Sequence, residues 1–350
     1  MPSYDALLLV SFGGPEGRDD VIPFLENVTR GRNVPRERLE QVADHYYRFG
    51  GVSPINQQCR DLLAAVEKDF AGSGIDLPVY WGNRNWDPYL ADAVAAMAAD
   101  GRQRAIAFVT SAYSSFSSCR QYLDDIERAR ARVGPAAPRI DKLRPYFNHP
   151  GFIEPFADAV RAAARTPSVR DDGFDLVFTA HSIPEAMAAA SGPDGGAYPR
   201  QFAEAARLVA ERTAPRSWRL AYQSRSGPPS VPWLGPDVGD CLADLARSGS
   251  RAVILVPVGF TSDHMEIVFD LDVEAAQAAE RLGLPLARAA TPGTDPRFVA
   301  MIGELVRERQ DGRPPLALGQ LGPALRTCGN CCCGAGAGRR VAGNTGGSTA

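Results

Sequence analysis

The chain has 350 residues, 45% of them hydrophobic and 23% charged, with a formal net charge of -3. This fits a soluble globular protein of two ordinary domains, and the near-neutral balance argues against a basic nucleic-acid surface. No stretch approaches the roughly 20 apolar residues that a membrane helix needs, so no stable membrane insertion is expected. The N-terminal apolar run at 6–12 is too short for a signal segment and lacks a basic flank, so the protein reads as cytoplasmic. That run is the first of three, with 79–81 and 105–109, each short and bounded by turn residues as buried parallel strands are. Helical patterns at 59–70 and 89–99 lie between them. The second half repeats the rhythm with apolar runs at 176–179, 220–222 and 252–258, separated by helical patterns at 202–212 and 240–247. Alternating strands and helices predict parallel sheets covered on both faces. Asp100-Gly101 before Arg104-Ala105-Ile106 is echoed by Ser248-Gly249 before Arg251-Ala252-Val253, which points to two similar doubly wound domains. Polarity rises over 165–172, giving an N-terminal Rossmann-like domain at 1–165, a C-terminal one at 166–320 and a Cys-rich segment with a tail at 321–350. From Gly334 on, the tail has little to bury and is expected to be disordered.

Ligands of open α/β sheets bind beyond the carboxyl ends of the strands. Gly13-Gly14 after the first run lacks the G-x-G-x-x-G spacing, no Walker lysine follows any strand, and no G-x-S-x-G elbow is present. Two of the four histidines do fall at strand ends: His181, and His264 with Asp263 and Glu266 beside it. A neutral imidazole serves as base or metal ligand, and a carboxylate holds a cation or accepts a proton. Glu266, Asp270 and Glu274 recur every four residues. On an α-helix that spacing drifts by about 40°, a slowly turning acidic stripe that π winding would straighten. A solvated helix face is the plainer reading of the same pattern. Of seven cysteines, Cys328, Cys331, Cys332 and Cys333 crowd into six residues. Adjacent cysteines rarely bridge each other, so the cluster suggests metal. Cys59 and Cys241 sit in helical patterns and read as buried fillers.

Five stretches carry a resemblance: LLLVSFGGPEG from Leu7, FGGVSPINQQ from Phe49, FTAHSIP from Phe178, AYQSRSGPPSVPWLGPDV from Ala221 and PVGFTSDHMEIVFDLDVEA from Pro257. In this order they resemble the ferrochelatase family. The resemblance implies two Rossmann-like domains with a porphyrin cleft between them. It makes His181 and Glu266 the residues that bind Fe²⁺ or take the pyrrole protons. His264 is expected to act behind Glu266, with Asp263 holding its tautomer, and Asp270 and Glu274 are expected to guide metal or protons inward. A flat macrocycle needs apolar walls, for which Phe12, Tyr113, Phe116, Tyr122 and Trp233 are candidates. The overall pattern is most similar to the soluble bacterial branch that converts coproporphyrin III to coproheme with release of two protons. Protoporphyrin IX as substrate, or a non-catalytic tetrapyrrole or metal carrier, remains the alternative. Arg30, Ser53 and Tyr122 fall where that branch contacts substrate, and Phe12 stands where some relatives place an iron-ligating tyrosine. Some members carry a [2Fe–2S] cluster on C-terminal cysteines plus one upstream. The resemblance therefore implies Cys119 with Cys328, Cys331 and either Cys332 or Cys333. Expected partners are porphyrin and ferrous iron, with no nucleic acid, and a monomer making transient contacts with neighbouring enzymes of heme synthesis.

Overall fold

The computed structural model describes residues 3–169, 173–227, 230–326 and 333–334. Two four-stranded parallel sheets organise it. The first contains β1 (Ala6–Ser11), β2 (Val79–Asn83), β3 (Arg104–Val109) and β4 (Arg139–Lys142), in the order β2-β1-β3-β4. The second contains β5 (Asp175–His181), β6 (Trp218–Gln223), β7 (Val253–Val256) and β8 (Leu286–Arg288), in the matching order β6-β5-β7-β8. All six residues of β1 and all four of β7 are buried. Strands covered on both faces need no polar alternation, which is why they read as continuous apolar runs.

Helices α1 (Arg18–Val28), α2 (Arg36–Tyr47) and α3 (Ile55–Ser73) separate β1 from β2, and α4 (Leu90–Ala99) leads into β3. Helix α5 (Gln121–Val133) precedes β4, and α6 (Pro150–Ala163) precedes β5. In the second half, α7 (Glu185–Ala189) and α8 (Ala197–Thr213) follow β5, and α9 (Val238–Arg247) leads into β7. Helices α10 (Met265–Phe269) and α11 (Ala276–Arg281) precede β8, and α12 (Pro296–Asp311) follows it.

The expected repeat extends to fine detail. Gly101 and Gly249 close α4 and α9 with left-handed φ of 72° and 78°. The next residues, Arg102 and Ser250, return their N–H groups to Met97 and Leu245 at 2.9 and 3.0 Å. The third strand of each half also leads into a π turn, Phe116–Arg120 before α5 and Asp270–Ala275 between α10 and α11.

The covering helices are exchanged between halves. Helix α6, which precedes residue 165, packs on α8, β7 and β8, whereas α12 from the chain's far end packs on α3. Phe298 of α12 meets Phe108 of β3 edge to face at 6.2 Å. One continuous core thus joins Leu9 and Phe108 to Phe156, Phe178 and Phe202. The exchange is pinned by a buried ion pair between Arg144 and Glu308, whose side chains are 2% and 6% exposed. Helices α1 and α2 form a small cluster around Val21, Phe24, Leu39 and Tyr46, shared with Met265 of α10. No helix among the described residues is long and apolar enough to cross a membrane. Except for Gly334, the tail expected to be disordered lies outside the described residues.

Candidate active site

The carboxyl ends of the strands face one another, and three hydrogen bonds tie their loops together. Tyr113 Oη donates to the Val258 carbonyl at 2.7 Å, Thr261 Oγ1 to that of Thr110 at 3.1 Å, and the Asp263 N–H to Gln58 Oε1 at 2.8 Å. Gly259 lets the loop after β7 cross the end of β5. A Cβ there would sit 2.5 Å from Ala180 Cα and 2.6 Å from its Cβ. That crossing carries Glu266 to His181.

His181 is the last residue of β5, and its own carbonyl is held by Tyr198 Oη at 2.8 Å. Its Nδ1 lies against the Ser182 carbonyl at 2.5 Å. A carbonyl only accepts, so Nδ1 carries a proton, and Nε2 is the atom that presents a lone pair when the ring is neutral. That lone pair faces Glu266 Oε2 at 3.5 Å, and the two side chains keep 34% and 48% of their surface exposed. A lone pair opposite a carboxylate requires a cation between them, either a proton or a metal ion. Burial opposes charge on His181, but the Glu266 carboxylate, the Ser182 carbonyl and Asp270 outweigh it, and the imidazole titrates above its ordinary value. Burial likewise works against ionised Glu266, and the positive charge of His181 reverses this, holding the carboxyl well below the usual range. His264 caps α10 and packs edge to face on Phe260 at 5.2 Å. Burial pushes its pKa down, so it is a neutral neighbour of the pair. Asp263 does not hold the His264 ring as expected. Its carboxylate takes a bidentate grip from Arg288 at 3.2 and 3.0 Å and a bond from Thr291 Oγ1 at 3.0 Å.

The acidic residues beyond Glu266 run into the π turn, whose wider winding takes back the drift of an α-helix. Asp270 is part-buried and accepts from Ser224 Oγ at 2.5 Å and Gln223 Nε2 at 3.3 Å. Burial, reinforced by the charges on Glu266 and Glu274, nevertheless pushes its pKa up to about 7. Glu274 is exposed, and its pKa is raised by burial of its carboxyl and by Asp237, against Arg48. The facing wall is α2, which the sequence reading did not single out. His45 stacks on Phe269 at 3.6 Å, and Tyr46 is buried among Phe24 and Met265. The polar, charge-rich sequence of α2 gave no signal of this partnership.

The expected porphyrin contacts divide. Phe12 is 36% exposed at the end of β1, and Arg84 lies over its ring at 5.8 Å. Arg30 is exposed and bonds Asn27. Trp233 is half-buried against Gly227, and its indole nitrogen has no hydrogen-bond partner among the described residues. Phe116 is half-buried at the start of its π turn. Tyr113, by contrast, is 1% exposed and belongs to the core, not to a wall. Ser53 and Tyr122 are 4% and 5% exposed, and the Arg84 guanidinium covers the Tyr122 ring at 4.4 Å while pairing with Asp125.

The expected [2Fe–2S] centre is corrected. Among the described residues, no group of three or more His, Cys, Asp or Glu side chains is placed to hold a metal ion. Cys119 is buried in the first π turn, and Cys333 is buried beside Ser191, where its Sγ accepts the Gly192 N–H at 3.4 Å. Cys328, Cys331 and Cys332 lie outside the described residues. Cys59 and Cys241 are buried, as expected of fillers. A cavity of about 480 Å³ beside Cys119, Arg200 and Arg309 is separate from the site, since neither His181 nor Glu266 lines it.

The chain is similar to several known proteins. A coproporphyrin III ferrochelatase of Streptomyces coelicolor is 54% identical over 97% of this chain and 96% of its own length. One of Nocardia farcinica is 60% identical over 90% of this chain and 91% of its own length. A ferrochelatase of Rhodopirellula baltica is 53% identical over 95% and 94%. Among solved structures, SirB from Bacillus subtilis with Fe³⁺ superposes with a TM-score of 0.54 at 13% identity, over 89% of this chain and 98% of that one, which shows a shared fold. The ferrochelatase family model matches residues 4–310, and the chain belongs to the ferrochelatase family.

Proposed function

We propose that this chain inserts Fe²⁺ into coproporphyrin III in the cytoplasm, giving coproheme and two protons. The observation that carries the reading is His181 Nε2 facing Glu266 Oε2 at 3.5 Å. Two protein donors hold a ferrous ion loosely enough to give it up, whereas a closed four-ligand cage would retain it. As Fe²⁺ enters the macrocycle, each pyrrole N–H loses its proton. The same two side chains, emptied of metal, would serve as the bases that take those protons. Asp270, poised near neutrality, accepts a proton from that pair and returns it to solvent past Glu274. Coproporphyrin III is favoured by the relatives that bear its name and by the exposed Arg30, which suits an added carboxylate. Porphyrin and ferrous iron are the partners of a monomer.

The test is an anaerobic assay with Fe²⁺ and each porphyrin, followed at the Soret band. Coproporphyrin III is expected to be metallated faster than protoporphyrin IX, and the reverse order would overturn the substrate. His181→Ala is expected to lower kcat by about a hundredfold or more. A near-normal rate would overturn the assignment of the metal site.

A further inference from the structure

The end of β6 touches both sides of the metal pair. Gln223 lies in register with His181, and its carbonyl accepts the Ser182 N–H at 2.8 Å, beside the carbonyl that holds His181 Nδ1. Its side chain reaches the other way. Nε2 donates to the Glu266 carbonyl at 3.4 Å and to Asp270 Oδ2 at 3.3 Å. Ser224 follows with φ +59°, in the left-handed region that serine seldom occupies, and this turn aims its hydroxyl at the same Asp270 oxygen. A non-glycine residue kept in that region signals a local geometry imposed by its surroundings. Here the imposed geometry links β6, the neighbour of the strand carrying His181, to the helix carrying Glu266, where α winding gives way to π.

We infer that Gln223 and Ser224 are positioning residues that brace Asp270 and Glu266 against His181, and so set the affinity for Fe²⁺ rather than for porphyrin. The inference rests on the reading of His181 and Glu266 as the Fe²⁺ site. Neither side chain need touch the macrocycle, since both act through the carboxylate and carbonyl they hold. A brace of this kind moves the KM of one substrate and leaves that of the other.

The test is steady-state kinetics of the whole chain, varying Fe²⁺ and coproporphyrin III separately, with porphyrin binding by fluorescence quenching as the check on folding. Ser224→Gly keeps the backbone at ease in the left-handed region and removes the hydroxyl. It is expected to raise KM for Fe²⁺ about tenfold, as loss of a hydrogen bond to a charged group does, with KM for porphyrin unchanged. Ser224→Asn is expected to restore most of the loss, because asparagine tolerates that conformation and its amide can donate. Gln223→Met should act as Ser224→Gly does, so the inference stays testable if one variant folds poorly. Combined with Asp270→Asn, Ser224→Gly should add nothing further. An unchanged KM for Fe²⁺, an equal rise for both substrates, or additivity in the double variant would overturn the brace. An inactive wild type or a fully active His181→Ala would instead remove the underlying reading, and the brace with it.

Discussion

The tautomer of His181 decides what the site can do. With Nδ1 committed to the Ser182 carbonyl, Nε2 is the only ring atom offered to an incoming ion. A proton and Fe²⁺ compete for it. Because the pKa of His181 is raised, imidazolium excludes the metal below that pKa, and the lone pair becomes available as pH rises through it. Glu266 stays ionised throughout, since its own pKa is depressed. KM for Fe²⁺ should therefore climb as pH falls past the His181 transition, by about tenfold per unit on the acid side. Anaerobic kinetics across neutral pH would check this, and a flat profile would contradict it. The strand-end position of His181 was legible in the sequence, because the apolar run stops just before it, and Glu266 was legible as a carboxylate in the segment that follows β7. The left-handed turn at Ser224 was not, since a serine carries no mark of the conformation its neighbours impose. The burial of Tyr122 was hidden for a similar reason: an aromatic residue near a cleft reads alike as wall or core until Arg84 is seen to cover it.

At the level of elements, the π turn is the departure from regular structure with the clearest effect. The four-residue spacing of Glu266, Asp270 and Glu274 was plain in the sequence, but π winding depends on packing that no spacing reports. A π turn is an α-helix with one residue too many, so deleting Val273 should convert it. Ala279 downstream would keep its buried face while Glu274 swings off the stripe. The variant should retain its helical circular dichroism, with KM for Fe²⁺ raised about fivefold, the scale of an exposed charge interaction of about 1 kcal/mol. Unchanged Fe²⁺ kinetics would show that alignment along this helix is dispensable. The matching π turn at Phe116–Arg120 extends the internal repeat, which the sequence revealed only through two Gly-capped helix ends.

For the molecule as a whole, the two sheets were readable and the exchange of α6 and α12 was not. Periodicity reports that a helix has a buried face but not which sheet it covers. The Arg144–Glu308 pair locks this exchange, and Arg144→Met would leave the buried Glu308 carboxylate only the exposed Arg326 at 3.2 Å, at a loss of about 3 kcal/mol. Chemical denaturation should register that loss, while kinetics at low temperature should show little change in either KM. The exchange also governs how a rigid macrocycle can enter. Each half carries a roof belonging to the other, so the halves cannot swing apart like a clamshell without tearing a common core. The elements outside that common core are α1 and α2 at the rim, which pack on Met265 and Phe269. Hydrogen exchange should show β1, β3, β5 and β7 protected as one unit, with α1 and α2 opening sooner. Independent opening of the two sheets would restore the clamshell.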